Sequence, residues 1–131
     1  MHVGTNDATA KLNTSSVLSA YDVVLSQMRA SNPRMVLILS KLIPVDPKLF
    51  GQETTDLVVA YNNAMDGWVR KNTKSQSPIV LVDMFTGFDT ATMTREGEHP
   101  NEKGDVFMAE RFYPVVMNQL IVRTIEKLSR A

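Results

Sequence analysis

Met35-Val36-Leu37-Ile38-Leu39 is an uninterrupted apolar run, and Ile79-Val80-Leu81-Val82-Asp83 repeats its character further along the chain. Both are short and rich in branched residues, which suits strands buried on both faces. Between them, Leu57, Val58, Tyr61, Met65, Trp68 and Val69 recur at helical spacing, while Asp56, Asn62, Asp66 and Arg70 can face water. The spacing predicts a helix from about Thr55 to Lys71, with Lys71 and Lys74 complementing the dipole at its C-terminal end. Two wholly apolar strands joined through a helix are parallel and connected by a right-handed crossover.

Outward from this unit the pattern continues. Val17, Leu18, Tyr21, Val24, Leu25 and Met28 mark a one-sided helix from Ser16 to Ala30, with Thr14 or Ser15 as its N-cap and Asn32-Pro33 as its end. Ser40 to Gly51 reads as a loop with Pro44 and Pro47, and Met84 to Pro100 as a longer one with Gly87 and Gly97. Asn101 is placed to cap a last helix whose apolar positions run from Val106 to Leu128, and Pro114 is expected to kink or divide it. The order is that of an α/β protein, a parallel sheet covered by helices on two faces.

The start of the chain is incomplete for such a sheet. Met1-His2-Val3 reads as the tail of a buried strand running into a Gly4-Thr5-Asn6-Asp7 turn, or as a frayed terminus before an ordinary turn. As a strand it is shorter than the usual ~5 or 6 residues. Three helices would then cover at most three strands, and the edge at Val3 would stand open to another chain. A small, complete three-stranded layer protein is the alternative.

Composition removes several function classes. The chain has 131 residues, 44% of them hydrophobic, enough for one core-bearing unit. Fourteen basic and fourteen acidic residues cancel, so no electrostatic footprint points to nucleic acid or a membrane surface. The absence of cysteine excludes disulfides, a thiol nucleophile and thiolate metal sites. No apolar run approaches a membrane span and no signal peptide pattern is present, so the chain as written is expected to stay in the cytosol.

Chemistry concentrates in Glu96-Gly97-Glu98-His99-Pro100-Asn101. An acid three residues before a histidine on one short loop can hold one ring nitrogen while the other faces a substrate. Read without their neighbours, His99 is a backbone-bonded loop residue, Asn6 and Asp7 are turn formers, and Glu96, Glu98 and Glu102 are a solvated acidic loop. With a single histidine that loop is a poor transition-metal site, and no metal is expected.

Gly4-Thr5-Asn6-Asp7 is similar to the third block of the SGNH, or GDSL-type, hydrolases. Gly97-Glu98-His99-Pro100-Asn101 resembles their fifth block, usually Asp-Gly-x-His-Pro-Asn. Order and separation agree, so the resemblance covers almost the whole chain. Asp83-Met84 and Gly104 through Met108 resemble in particular the acetyl xylan esterase type of carbohydrate esterase.

The resemblance implies a flavodoxin-like three-layer α/β/α fold whose N-terminal part is missing here, residues 1–131 being the C-terminal part of one domain. It implies ester hydrolysis through an acyl-serine, with no cofactor, on acetylated carbohydrate or another small ester. Intact relatives are often secreted. His99 would be the general base, Glu96 the acid that orients it, and Asn6 an oxyanion donor, with Gly4 beside it at the substrate.

Two departures stand out. The acid is a glutamate where the family has aspartate, a change that other hydrolases accommodate. The Gly-Asp-Ser of the first block and the oxyanion glycine of the second lie upstream of the third, and no Gly-Asp-Ser occurs in this chain. Ser40, at the end of a predicted strand, is the one candidate substitute nucleophile; otherwise it caps that strand. The chain alone is therefore expected to be nearly inactive. A non-catalytic module that forms a homo-oligomer through the open edge, or pairs with a complementary fragment, is the rival from a different class, and a degenerate binder of acetylated sugar is the third.

Overall fold

The computed structural model describes residues 1–129. Its elements in order are α1 (Thr5–Thr9), α2 (Thr14–Ser31), β1 (Leu37–Ser40), α3 (Pro47–Phe50), α4 (Gln52–Asn72), β2 (Ile79–Val82), α5 (Thr90–Met93) and α6 (Glu102–Leu128). β1 and β2 pair in parallel, Leu37 opposite Ile79 and Ser40 opposite Val82. Among the described residues the sheet has two strands; Met1 to Val3 forms no third one, although Met1 lies against the other side of β1. Its ammonium donates to the Ile38 carbonyl and its carbonyl accepts from the Ser40 amide.

Side-chain alternation splits each strand between two layers. Leu37, Leu39 and Ile79 join Tyr21, Leu25, Val58, Tyr61, Met65 and Trp68 in the core under α2 and α4. Ile38 and Val82 turn the other way, to Met84, Phe88, Phe107 and Phe112 beneath α6. This is the α/β three-layer arrangement expected from the two apolar runs.

Polar contacts pin the layers together. Arg29 of α2 donates to the Asn72 and Ser77 carbonyls at 2.9 and 2.7 Å, closing the bottom of the sheet. Arg111 of α6 donates to the carbonyls of Asp83 and Thr86 at 2.6 and 2.7 Å, and its guanidinium lies 4.2 Å from the Phe107 ring centre. The loop after β2 is thus fixed against the helix that follows the histidine.

Several local expectations change. The cap of α2 is Asn13, whose side chain accepts from the Ser16 amide at 2.9 Å, rather than Thr14 or Ser15. Gly4-Thr5-Asn6-Asp7 opens a short helix instead of a bare turn. The two long loops each contain one helical turn, α3 behind the Asp46 cap and α5 behind the Asp89 cap. Pro114 neither ends nor divides α6. Proline deprives only the Glu110 carbonyl of its partner, and both residues are exposed, so water can satisfy it.

Candidate active site

The site forms where the chain leaves the C-terminal ends of the strands. After Met1 to Val3, Gly4 adopts φ 131°, and a Cβ there would stand 3.2 Å from the Tyr21 hydroxyl and 3.3 Å from Leu42. Only glycine combines that turn with that close approach. Tyr21 donates to the Val3 carbonyl at 2.5 Å, holding the turn from below. Burial, then the charges of Asp7 and Tyr61, push its phenol up to about 12, so it remains a donor throughout the working range. α1 then carries Asn6 on an exposed position at the rim.

The second wall is the loop from Thr94 to Asn101, which is tied at every step. Arg95 donates its amide to the His99 carbonyl, Asp46 donates to the Gly97 carbonyl, and the Gly97 amide donates to Thr94 Oγ1, each at 2.8 Å. Asn101 uses both ends of its amide. Its oxygen caps α6 through the Lys103 and Gly104 amides at 3.0 and 3.2 Å, and its nitrogen donates to the Thr92 and Thr94 carbonyls, both at 3.0 Å. The sequence shows the cap; the second pair depends on α5 and on the Thr94 to Pro100 bridge, which it does not show.

Gly104 completes the clamp. A Cβ at this position would sit 2.2 Å from the Met93 carbonyl oxygen, which itself accepts from the Asn101 amide at 3.0 Å. Gly104→Ala is therefore expected to cost about 2–3 kcal/mol, as overpacking against backbone does, and to displace the histidine loop. Urea denaturation and the ring resonances of His99 would register both effects.

Within this frame Glu96 and His99 meet. Glu96 Oε1 accepts from the His99 backbone amide at 3.0 Å and also from ring Nδ1. The ring hydrogen bond, then the backbone one, holds the Glu96 carboxyl below its ordinary value. An ionised carboxylate only accepts, so Nδ1 carries the proton and Nε2 presents its lone pair outward. Both side chains are largely open, 51% and 69% exposed. That is the geometry of a general base with its orienting acid.

A cavity of about 330 Å³ joins the two walls, lined by His2, Gly4, Asn6, Glu98, His99 and Pro100 among others. Asn6 and His99 thus face one space. Glu96, Glu98 and His99 also place three ligand atoms within 4.8 Å of one another, but a cation bound there would compete with the Glu96 to His99 hydrogen bond.

Ser40 lies elsewhere. It is wholly buried and its Oγ is 2.7 Å from Nδ1 of His2; among the described residues it has no hydrogen bond to His99. The Ser40 hydroxyl donates to the Met1 carbonyl, so it receives the Nδ1 proton of His2, which leaves Nε2 of His2 unprotonated. Sequence reading gave His2 no role. The structure makes it both a partner of Ser40 and part of the cavity wall, a pairing that only the position of Met1 beside β1 reveals.

Burial, then the adjacent N-terminal ammonium, holds the His2 imidazole below its ordinary 6.5. In the unfolded chain His2 takes up a proton as pH falls through about 6.5, whereas the folded form stays neutral to lower pH. Stability is therefore lost on acidification from that point. A further loss below the ordinary carboxylate range comes from Glu96, whose folded value is depressed. We expect Tm to fall as pH drops through about 6.5, and His2→Asn to flatten that step while leaving the later one.

The family model described as GDSL-like lipase/acylhydrolase matches residues 1–112. The crystal structure of a carbohydrate esterase family 3 protein from Talaromyces cellulolyticus superposes with a TM-score of 0.81 at 35% identity, covering 93% of this chain and 57% of that one. A serine-to-alanine mutant of an acetyl esterase, crystallised with acetate ion, superposes with the same TM-score, identity and coverage. No match to a curated protein was found. The chain thus spans little more than half the length of these solved relatives. The family match over most of the sequence and the shared fold together show that this chain belongs to the GDSL-like lipase/acylhydrolase family.

Proposed function

We propose that this chain supplies the base and acid side of an SGNH-type serine esterase that removes acetyl groups from carbohydrate, in the manner of the acetyl xylan esterases. The observation that carries the reading is the Glu96 carboxylate on Nδ1 of His99, with the opposite ring nitrogen free to work beside Asn6. In the reaction a serine hydroxyl attacks the ester carbonyl carbon as His99 Nε2 takes its proton. Glu96 stabilises the imidazolium, and the Asn6 amide donates to the oxyanion beside Gly4. Collapse expels the alcohol, which receives the proton from His99. Water, activated the same way, then releases acetate from the acyl-serine.

The serine is not among these residues. No Gly-Asp-Ser is present, and the burial of Ser40 keeps an ester carbonyl from reaching it. The test is a chimera joining this chain to the part of the Talaromyces cellulolyticus esterase outside the match, where the family pattern expects Gly-Asp-Ser. A folded chimera should release acetate from acetylated xylan. A folded chimera that releases none would refute the assignment.

A second reading is a non-catalytic module that associates through the free side of the Met1 to Val3 segment beside β1. Val3 is 50% exposed, and among the described residues no backbone hydrogen bond engages His2. A chimera without activity, together with concentration-dependent dimers joined there, would favour this reading.

A further inference from the structure

Asn6 and His99 reach the cavity from distant parts of the chain, and a single buried hydroxyl joins the segments that carry them. α1 has five residues, too few to hold a helix by itself. Just beyond its C-terminal end Lys11 takes φ 58°, a left-handed conformation that a residue with a Cβ keeps only where its surroundings impose it. The Lys11 ammonium donates to Thr54 Oγ1 at 2.5 Å and lies 3.4 Å from the Glu53 carboxylate. Both partners belong to the first turn of α4.

The histidine loop is tied to the same turn. Gly97 stands between Glu96 and His99 at φ 86°, and a Cβ there would come within 2.8 Å of Leu49 Cδ1 and 2.9 Å of Asp46 Cβ. The Asp46 amide donates to the Gly97 carbonyl at 2.8 Å, and the Asp46 carbonyl accepts from the Phe50 amide at 2.9 Å. Phe50 in turn is held by Thr54, whose hydroxyl donates to the Phe50 carbonyl at 2.7 Å. Thr54 is 1% exposed, so water does not compete for its hydroxyl. A hydroxyl that accepts on one side and donates on the other is polarised by both partners, which strengthens both bonds. Lys11, Thr54, Phe50, Asp46 and Gly97 thus form one bonded path from α1 to the turn that brings Glu96 to His99.

We propose that Thr54 is a positioning residue, which couples the oxyanion-donor side of the site to the base side through one hydroxyl. Its purpose rests on the esterase reading, because base and oxyanion donor must keep a common geometry, and a misplacement of about 1 Å costs on the order of a hundredfold in rate. The coupling itself is measurable without turnover.

The chain has two histidines, so nitrogen NMR of the imidazole rings resolves His99 once His2→Asn has identified the other. Lys11→Met should raise the fraction of His99 protonated at Nε2 by at least about twofold, as residues of one network do. The Lys11 side chain is partly exposed, so this variant keeps the test decisive if the buried Thr54→Val fails to fold. Thr54→Val should cause the same change and shift the Asn6 side-chain amide resonances, and Thr54→Ser, which keeps the hydroxyl, should restore both. Trp68→Phe breaks the hydrogen bond to Asp22 toward the other end of α4 and should lower Tm without moving either signal. In the active chimera Thr54→Val should lower kcat by about tenfold to a hundredfold with KM little changed. An unchanged His99 tautomer in Lys11→Met, a Thr54→Ser variant no better than Thr54→Val, an equal shift in Trp68→Phe, or an unchanged kcat in the Thr54→Val chimera would overturn the proposal. A chimera that releases no acetate refutes the esterase reading alone, since the resonances are read on this chain.

Discussion

His99→Ala in the active chimera is expected to lower kcat by about four to six orders of magnitude, with little change in KM. The size follows from the division of labour. Nucleophile, base and orienting acid act as a unit, so removal of the base leaves the serine hydroxyl at its unactivated nucleophilicity. Stability at neutral pH should change little, because the His99 side chain is exposed and, among the described residues, its ring bonds to Glu96 alone; the loss on acidification that comes from Glu96 should shrink. Glu96→Gln gives a graded contrast. The amide keeps an acceptor for Nδ1 but loses the charge that stabilises the imidazolium, so kcat should fall less than in His99→Ala, while the backbone amide of His99 keeps its partner. A Glu96→Gln loss equal to that of His99→Ala would mean that the amide fails to preserve the tautomer the carboxylate sets.

Tyr61→Ala is expected to have the largest effect on stability. Tyr61 lies on α4, wholly buried against the layer that contains Leu39, Val58 and Met65, and its hydroxyl donates to the Leu12 carbonyl. Truncation removes a large aromatic group, and the surrounding elements cannot collapse into the space without breaking the strand contact. A cost of about 3–5 kcal/mol follows, equivalent to a fall in Tm of about 10–20 °C. Tyr61→Phe separates packing from hydrogen bonding. Leu12 is 43% exposed, so water can replace the lost hydroxyl, and the cost should be about 1 kcal/mol. Thermal denaturation of the two variants tests both statements.

What the sequence revealed and what it hid have physical causes. The strands at Leu37 and Ile79 and the helices α2 and α4 were legible because a buried strand and a one-sided helix impose a hydrophobic period on the chain. α3 and α5 were not, since four residues carry no period; their only trace is the aspartate cap before each. Pro114 misled because its effect depends on whether the deprived carbonyl meets water, which a local pattern does not encode.

At the site, Glu96 and His99 were legible because three residues of one loop bring them together. Asn6 and His99 meet in one cavity across nearly the whole chain, and that pairing came only from the family resemblance. The contact of His2 with Ser40 and the double duty of Asn101 are long-range consequences of register and loop closure. The apolar positions of α6 are present in the sequence as well, but those that face inward and those that face outward look alike until the sheet is in place.

As proposed, this chain holds the base, its orienting acid and an oxyanion donor, and acts with a serine outside these residues. The most direct measurement is turnover of a chromogenic acetate ester by the chain alone, with mass spectrometry after treatment with a serine-directed organophosphonate. Hydrolysis should stay at background, equal in wild type and His99→Ala, and no serine should carry the label. Turnover that His99→Ala abolishes, with the label on Ser40, would contradict it and place a working nucleophile within these residues.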